Sequence, residues 1–130
     1  MLCADALDAN DMVCDYKALK TVVMRELERF DHAMLLAASD PLKDAFAPFA
    51  ERVVLLDEGD PTTEVLANHL FHAIGRAFRP GMEVHTPGGA TYRVPETVRL
   101  ELVRVWETPH TWGEYGEEPG SGGEPAGSRA

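Results

Sequence analysis

Residues 97–108 place the tightest constraint on the fold: read as one strand, they are apolar on both faces. Side chains alternate along a strand, so Val98, Leu100 and Leu102 fall on one side and Val103 and Val105 on the other. Both sides must then be at least partly covered. Val103, Val105 and Glu107 share a face, so a buried strand would deliver Glu107 to whatever that face lines.

Two segments read as amphipathic helices. After Asp15, apolar residues recur at Tyr16, Leu19, Val23, Leu27 and Phe30, one helical face by spacing. Asp15 is suited to cap the start, and the helix is expected to end near Asp31. The second helix opens at Asp60-Pro61, with Asp60 as the expected cap and Pro61 at the first helical position. Leu66, Leu70 and Ile74 carry its stripe, widened by Ala67, Phe71 and Phe78, and Pro80-Gly81 stops it. Residues 41–49 are ambiguous, a short helix broken before Pro48, and 52–56 read as a short strand. Residues 82–85 and 91–94 flank Thr86-Pro87-Gly88-Gly89-Ala90, which reads as a hairpin loop. From Glu117 to Ala130 the chain is Gly, Pro, Ser and Glu with no large apolar residue. Such a segment cannot bury enough surface to offset its ordering entropy, so residues 1–116 are expected to form one domain and 117–130 a disordered tail.

A net charge of −10, with lysine only at Lys17, Lys20 and Lys43, argues against nucleic acid as a partner. A small anionic ligand stays open, because a local cationic cluster can oppose the global charge. No apolar run reaches the length of a membrane helix, and the start carries no basic region followed by an apolar stretch. Cys3 and Cys14 do not form a disulfide framework and read as reduced thiols of a cytoplasmic protein.

Three segments hold the residues that could do chemistry. Asp31-His32 reads either as a surface or capping pair, or as an imidazole that moves protons beside a carboxylate. Asp60-Pro61-Thr62-Thr63-Glu64 is a good helix start, and its free N–H groups and hydroxyls could also hold the polar edge of a ring. Glu107 is either the point where a strand returns to water or a carboxylate that accepts two parallel hydrogen bonds from an amidine-like edge. His69 and His72 lie three apart on the second helix, a spacing that can serve zinc, but no third ligand is evident nearby.

Together these segments resemble the 6-pyruvoyltetrahydropterin synthase and 6-carboxytetrahydropterin synthase family. Residues 7–20, ending in Asp15-Tyr16 and Leu19-Lys20, resemble its turn, strand end and helix start. Arg29-Phe30-Asp31-His32 resembles its Leu-Asp-His segment, and Pro61-Thr62-Thr63-Glu64-Val65-Leu66-Ala67 its Pro-Thr-x-Glu-x-Leu-Ala helix. Val103-Arg104-Val105-Trp106-Glu107-Thr108 resembles its closing strand.

The resemblance implies an α+β tunnelling fold (T-fold), a four-stranded antiparallel sheet with two helices on one face in the order β-β-α-α-β-β. It implies trimeric rings or hexamers with sites between subunits. Asp31 and His32 would be the acid–imidazole part of a catalytic triad, Glu107 the pterin anchor, and Thr62 and Thr63 neighbours of the ring. The substrate would be 7,8-dihydroneopterin triphosphate, and the reaction a carbon–oxygen lyase step, in bacteria toward queuosine. The family also uses zinc held by three histidines, with a Cys as base, all ahead of the turn at Leu7. Only six residues precede Leu7 here, none of them His, so the first hairpin is expected to be largely absent, with no cofactor implied by the residues present. An active pterin synthase and a non-catalytic pterin- or purine-binding oligomer both remain open.

Overall fold

The computed structural model describes residues 1–117. The expected tail, apart from Glu117, lies outside these described residues. The fold is α+β. Its elements in order are β1 (Leu2–Ala4), α1 (Tyr16–Glu28), β2 (Met34–Ala37), a 3₁₀ segment (Pro41–Arg52), β3 (Val53–Leu56), α2 (Thr63–Ala77), β4 (Glu83–His85), β5 (Thr91–Arg93), β6 (Val98–Leu100), β7 (Leu102–Thr108) and β8 (Thr111–Gly116).

Helix α1 starts as its sequence demands: the Asp15 carboxylate accepts from the Lys17 N–H at 2.7 Å. It stops at Glu28, short of Asp31, and a tight turn carries the chain from Arg29 to Ala33. Helix α2 starts later than expected. Thr62, not Asp60, is the cap: it is extended (φ −83°, ψ 165°), and its hydroxyl accepts from the Val65 N–H at 3.3 Å. Pro61 therefore sits before the helix, not inside its first turn. The Asp60 carbonyl accepts from the Thr62 N–H at 2.7 Å, a tight turn that holds Pro61 outside the helix and leaves the cap to Thr62.

The implied four-stranded antiparallel sheet resolves, among the described residues, into four two-stranded ladders: β1–β6, β4–β5 and β7–β8 antiparallel, and β2–β3 parallel. The strand expected over 97–108 is interrupted at Glu101. There the N–H groups of Glu101 and Leu102 both turn to the Met1 carbonyl, at 3.1 and 3.4 Å. Two residues against one is the geometry of a bulge. The amino group of Met1 in turn donates to the Leu102 carbonyl, so β1 spans the interruption. Strands β2 and β8 escaped the sequence reading; both are short, and β8 carries glycines at both Gly113 and Gly116.

One core joins these parts. Ala18 and Val22 of α1 and Leu70 and Ile74 of α2 are buried with Phe78, Val84, Val94 and Val98. Leu2, Leu100, Val103 and Val105 pack against them, so the apolar face of β7 is covered as its pattern required. Each fully buried Leu, Ile or Phe contributes about 1.5–3 kcal/mol relative to exposure. The hairpin β4–β5 closes through Thr86 N–H to the Ala90 carbonyl at 2.9 Å, and Gly89 supplies the left-handed residue it needs (φ 81°).

Candidate functional site

The turn after α1 presents Asp31 and His32. The Asp31 N–H donates to the Glu28 carbonyl at 3.3 Å, and that of Ala33 to Phe30 at 3.3 Å, which fixes the turn between α1 and β2. His32 is left-handed (φ 55°), a conformation that costs a non-glycine residue roughly 1 kcal/mol. Its Nε2 lies 3.7 Å from Asp31 Oδ1, close enough for charge to be felt and too far for a hydrogen bond. Both side chains are exposed, 88% for His32 and 77% for Asp31, so within one chain no cavity wall surrounds them.

Thr62 and Thr63 sit at the start of α2, where the ribbon β7–β8 arrives. Gly113 of β8 makes that approach possible. A Cβ there would lie 2.7 Å from the Glu64 nitrogen and from the Thr63 carbonyl carbon. Glu107 occupies the far end of β7, in the register shift between Trp106 and Thr108. The shift ends the ladder alternation that half-buries Val103 and Val105, and Glu107 is exposed. The expected delivery of Glu107 into a buried face is thus not met within one chain, because the bulge and the hairpin end release the strand to solvent.

On the opposite side of the ribbon, Trp106 and Trp112 face each other across the strands with ring centroids 4.8 Å apart. The Arg104 guanidinium lies over both rings, at 5.7 and 4.9 Å, and bonds Glu114 at 2.9 and 2.6 Å. Both tryptophans remain 41% or more exposed.

His69 was readable only as a partner of His72. Its actual partner is Glu58, from the loop before α2: Nδ1 lies 3.1 Å from Oε1 and 3.2 Å from Oε2. The His69 ring meets Phe30 edge-on at 5.8 Å, which ties the Asp31 turn to the loop that starts α2. His72 instead packs against Phe71 and Tyr115. No local pattern links residues eleven apart across a loop, which is why Glu58 was missed. The Nε2 of His69 and the Oδ1 of Asn68 are buried without a hydrogen-bond partner among the described residues.

Burial pushes the Glu58 carboxyl up. Its own backbone N–H and the His69 ring more than offset this, and it ends below its ordinary value. A carboxylate held down in the fold stabilises above its unfolded pKa, and that gain is lost as pH falls through the folded value. Glu58→Gln should therefore cost about 1–2 kcal/mol at neutral pH in chemical denaturation. The difference from the wild type should vanish at acid pH, once Glu58 itself is protonated.

The residues do not fit a zinc site. His69 is committed to Glu58, and among the described residues no three His, Cys, Asp or Glu side chains group as metal ligands would. No helix of the described residues is long and apolar enough to cross a membrane.

Comparison with known proteins agrees with the segments described. The 6-pyruvoyl tetrahydropterin synthase family pattern matches residues 1–118. The 6-carboxy-5,6,7,8-tetrahydropterin synthase of Aquifex aeolicus (strain VF5) is 27% identical over 119 residues, covering 88% of this chain and 67% of that protein.

Proposed function

Because the chain belongs to the 6-pyruvoyl tetrahydropterin synthase family, we propose that it binds a dihydropterin and moves protons on its side chain, with 7,8-dihydroneopterin triphosphate as the substrate class. Glu107 accepts the two N–H bonds of the pterin's amidine-like edge, a side-by-side geometry that only a carboxylate completes. Thr62 and Thr63 lie beside the ring. His32 takes or gives the proton, and Asp31 stabilises the imidazolium that forms.

The observation that carries this reading is the conformation of His32. A left-handed histidine with its ring 3.7 Å from a carboxylate is backbone strain of the kind that gathers at reactive sites. The fold proposed is the T-fold, and the site is completed by a second copy of the chain in a cytoplasmic homo-oligomer. Apolar side chains flank both site segments in the open: Met34 is 47% exposed two residues after His32, and Trp106 is 53% exposed beside Glu107. Trp106 and Trp112 pack as one exposed apolar pair, a surface that a neighbouring subunit would cover.

Proton transfer can be read without the complete reaction. With 7,8-dihydroneopterin triphosphate in D₂O, the protein should catalyse deuterium uptake at a side-chain carbon. His32→Ala should slow this at least about 100-fold. Uptake no faster than in buffer would contradict the catalytic role, and binding without uptake would leave a pterin-binding protein.

A further inference from the structure

A cavity of about 510 Å³ lies between α1 and the β4–β5 hairpin, and none of the residues assigned to the pterin lines it. A volume of this size suits a small molecule. Its helical wall is the stripe Lys17, Lys20, Thr21, Met24, Arg25 and Glu28. The hairpin closes it with Thr86, Pro87, Gly88, Ala90 and Tyr92.

The charge of this wall runs against that of the protein. The chain carries −10 overall and has three lysines, two of which line this cavity beside Arg25. Among the described residues, none of these three cations lies within ion-pair distance of a carboxylate. Arg25 donates to the His85 carbonyl at 2.9 Å, a neutral partner that aims its guanidinium at the hairpin and leaves its charge uncompensated. Glu28, at one end, is the opposing charge on this wall. Met24, Pro87 and Tyr92 add apolar lining, while the hydroxyls of Thr21 and Thr86 are committed to the Lys17 and Ala90 carbonyls, at 2.8 and 3.1 Å, which leaves the cations as the donors to a ligand. Cations left unpaired along one wall of a concave site focus a positive potential there, even on an acidic molecule.

We propose that this cleft binds the oligophosphate group of a small molecule, with Lys17, Lys20 and Arg25 as its counter-charges. Two sources fit the chemistry, a free nucleotide triphosphate and the triphosphate tail of a pterin. The Gly88 position offers a way to close the cleft without touching its charge: a Cβ there meets nothing nearer than the Thr86 hydroxyl, at 4.0 Å.

The test is calorimetric titration of the full chain with inorganic tripolyphosphate, then with GTP and with 7,8-dihydroneopterin triphosphate. Tripolyphosphate should bind saturably at low salt and weaken as salt is raised, since charge contacts at a surface are screened. Lys17→Glu with Lys20→Glu should weaken it at least tenfold, and Gly88→Trp should do the same by filling the space. Lys43→Glu, which removes the remaining lysine elsewhere on the surface, should leave binding within twofold. If GTP binds more tightly than tripolyphosphate, the source is a nucleotide; if only the pterin triphosphate does, and Lys17→Glu with Lys20→Glu weakens it, the source is the substrate tail. Absence of saturable binding, or equal loss in the Lys43 variant, would overturn the proposal. Circular dichroism of each variant separates lost binding from lost folding. Binding of unphosphorylated neopterin reports on the pterin site alone, so failure of either reading is distinguishable from failure of the other.

Discussion

Gly113→Val should pull the β7–β8 ribbon off α2, lowering stability by about 1–3 kcal/mol. At roughly 4 °C per kcal/mol for a domain of this size, the melting temperature falls by about 4–12 °C. The cause is steric. The Cβ alone would stand 2.7 Å from two backbone atoms and 3.0 Å from the Thr63 Cβ, all in the first turn of α2. Backbone cannot rotate aside as a side-chain tip can, so β8 must retreat from the helix. The strand backbone itself tolerates valine, so the loss comes from packing. Gly88→Ala is the matched control, a glycine whose added Cβ enters open space, and it should change the melting temperature by about 2 °C or less. Thermal unfolding followed by circular dichroism reads both. Because β8 holds β7 in register through Val105–Gly113 and Trp106–Trp112, Gly113→Val should also disturb the position of Glu107.

The helices were legible because each carries a broad apolar stripe and a side-chain cap, both local in sequence. In α2 the stripe residues Leu70 and Ile74 reach the core; in α1 the buried residues are Ala18 and Val22, flanking a stripe whose Leu19, Val23, Leu27 and Phe30 are half-buried and whose Tyr16 is exposed. The boundary of α2 was misplaced because two good caps, Asp60 and Thr62, stand on either side of a proline, and local preference does not decide between them. Strands fared differently. The pairing of β1 with β6 joins residues nearly a hundred apart, and the interruption at Glu101 follows from the Met1 carbonyl that two N–H groups share. Neither leaves a trace in the alternation of residues 97–108.

Much the same division holds for the site. Asp31, His32, Thr62, Thr63 and Glu107 were named from local motifs, and the structure adds where each stands: a strained turn, a helix start and a strand end. Within one chain Asp31, His32 and Glu107 are all exposed. The Glu58–His69 contact and the Trp106–Trp112–Arg104 face arise from long-range packing, and no short pattern announces them. The cationic cleft was foreshadowed only as a general possibility for an acidic chain. Its residues lie at helical spacing on α1, but the hairpin that closes it is some sixty residues away, as the Arg25–His85 bond records.

Glu107→Ala should reduce pterin affinity at least about 100-fold. A carboxylate accepting two N–H bonds from a pterin contributes about 1.5–3 kcal/mol per charge-assisted bond, and truncation removes both. The lower sum, about 3 kcal/mol, already corresponds to roughly two orders of magnitude in Kd. Glu107→Gln keeps one accepting oxygen and sets an amide N–H against a donor on the ligand. It should therefore recover little of the loss. The exposure of Glu107 in one chain makes a further demand: affinity should depend on assembly, appearing only at protein concentrations where subunits associate.

The decisive measurement is a fluorescence titration of neopterin against the assembled wild-type protein, Glu107→Ala and His32→Ala. Saturable binding that the glutamate variant loses about 100-fold, and that the histidine variant keeps within about twofold, is the expected result. Equal affinity in wild type and Glu107→Ala, or no binding to the assembled wild type, would contradict it.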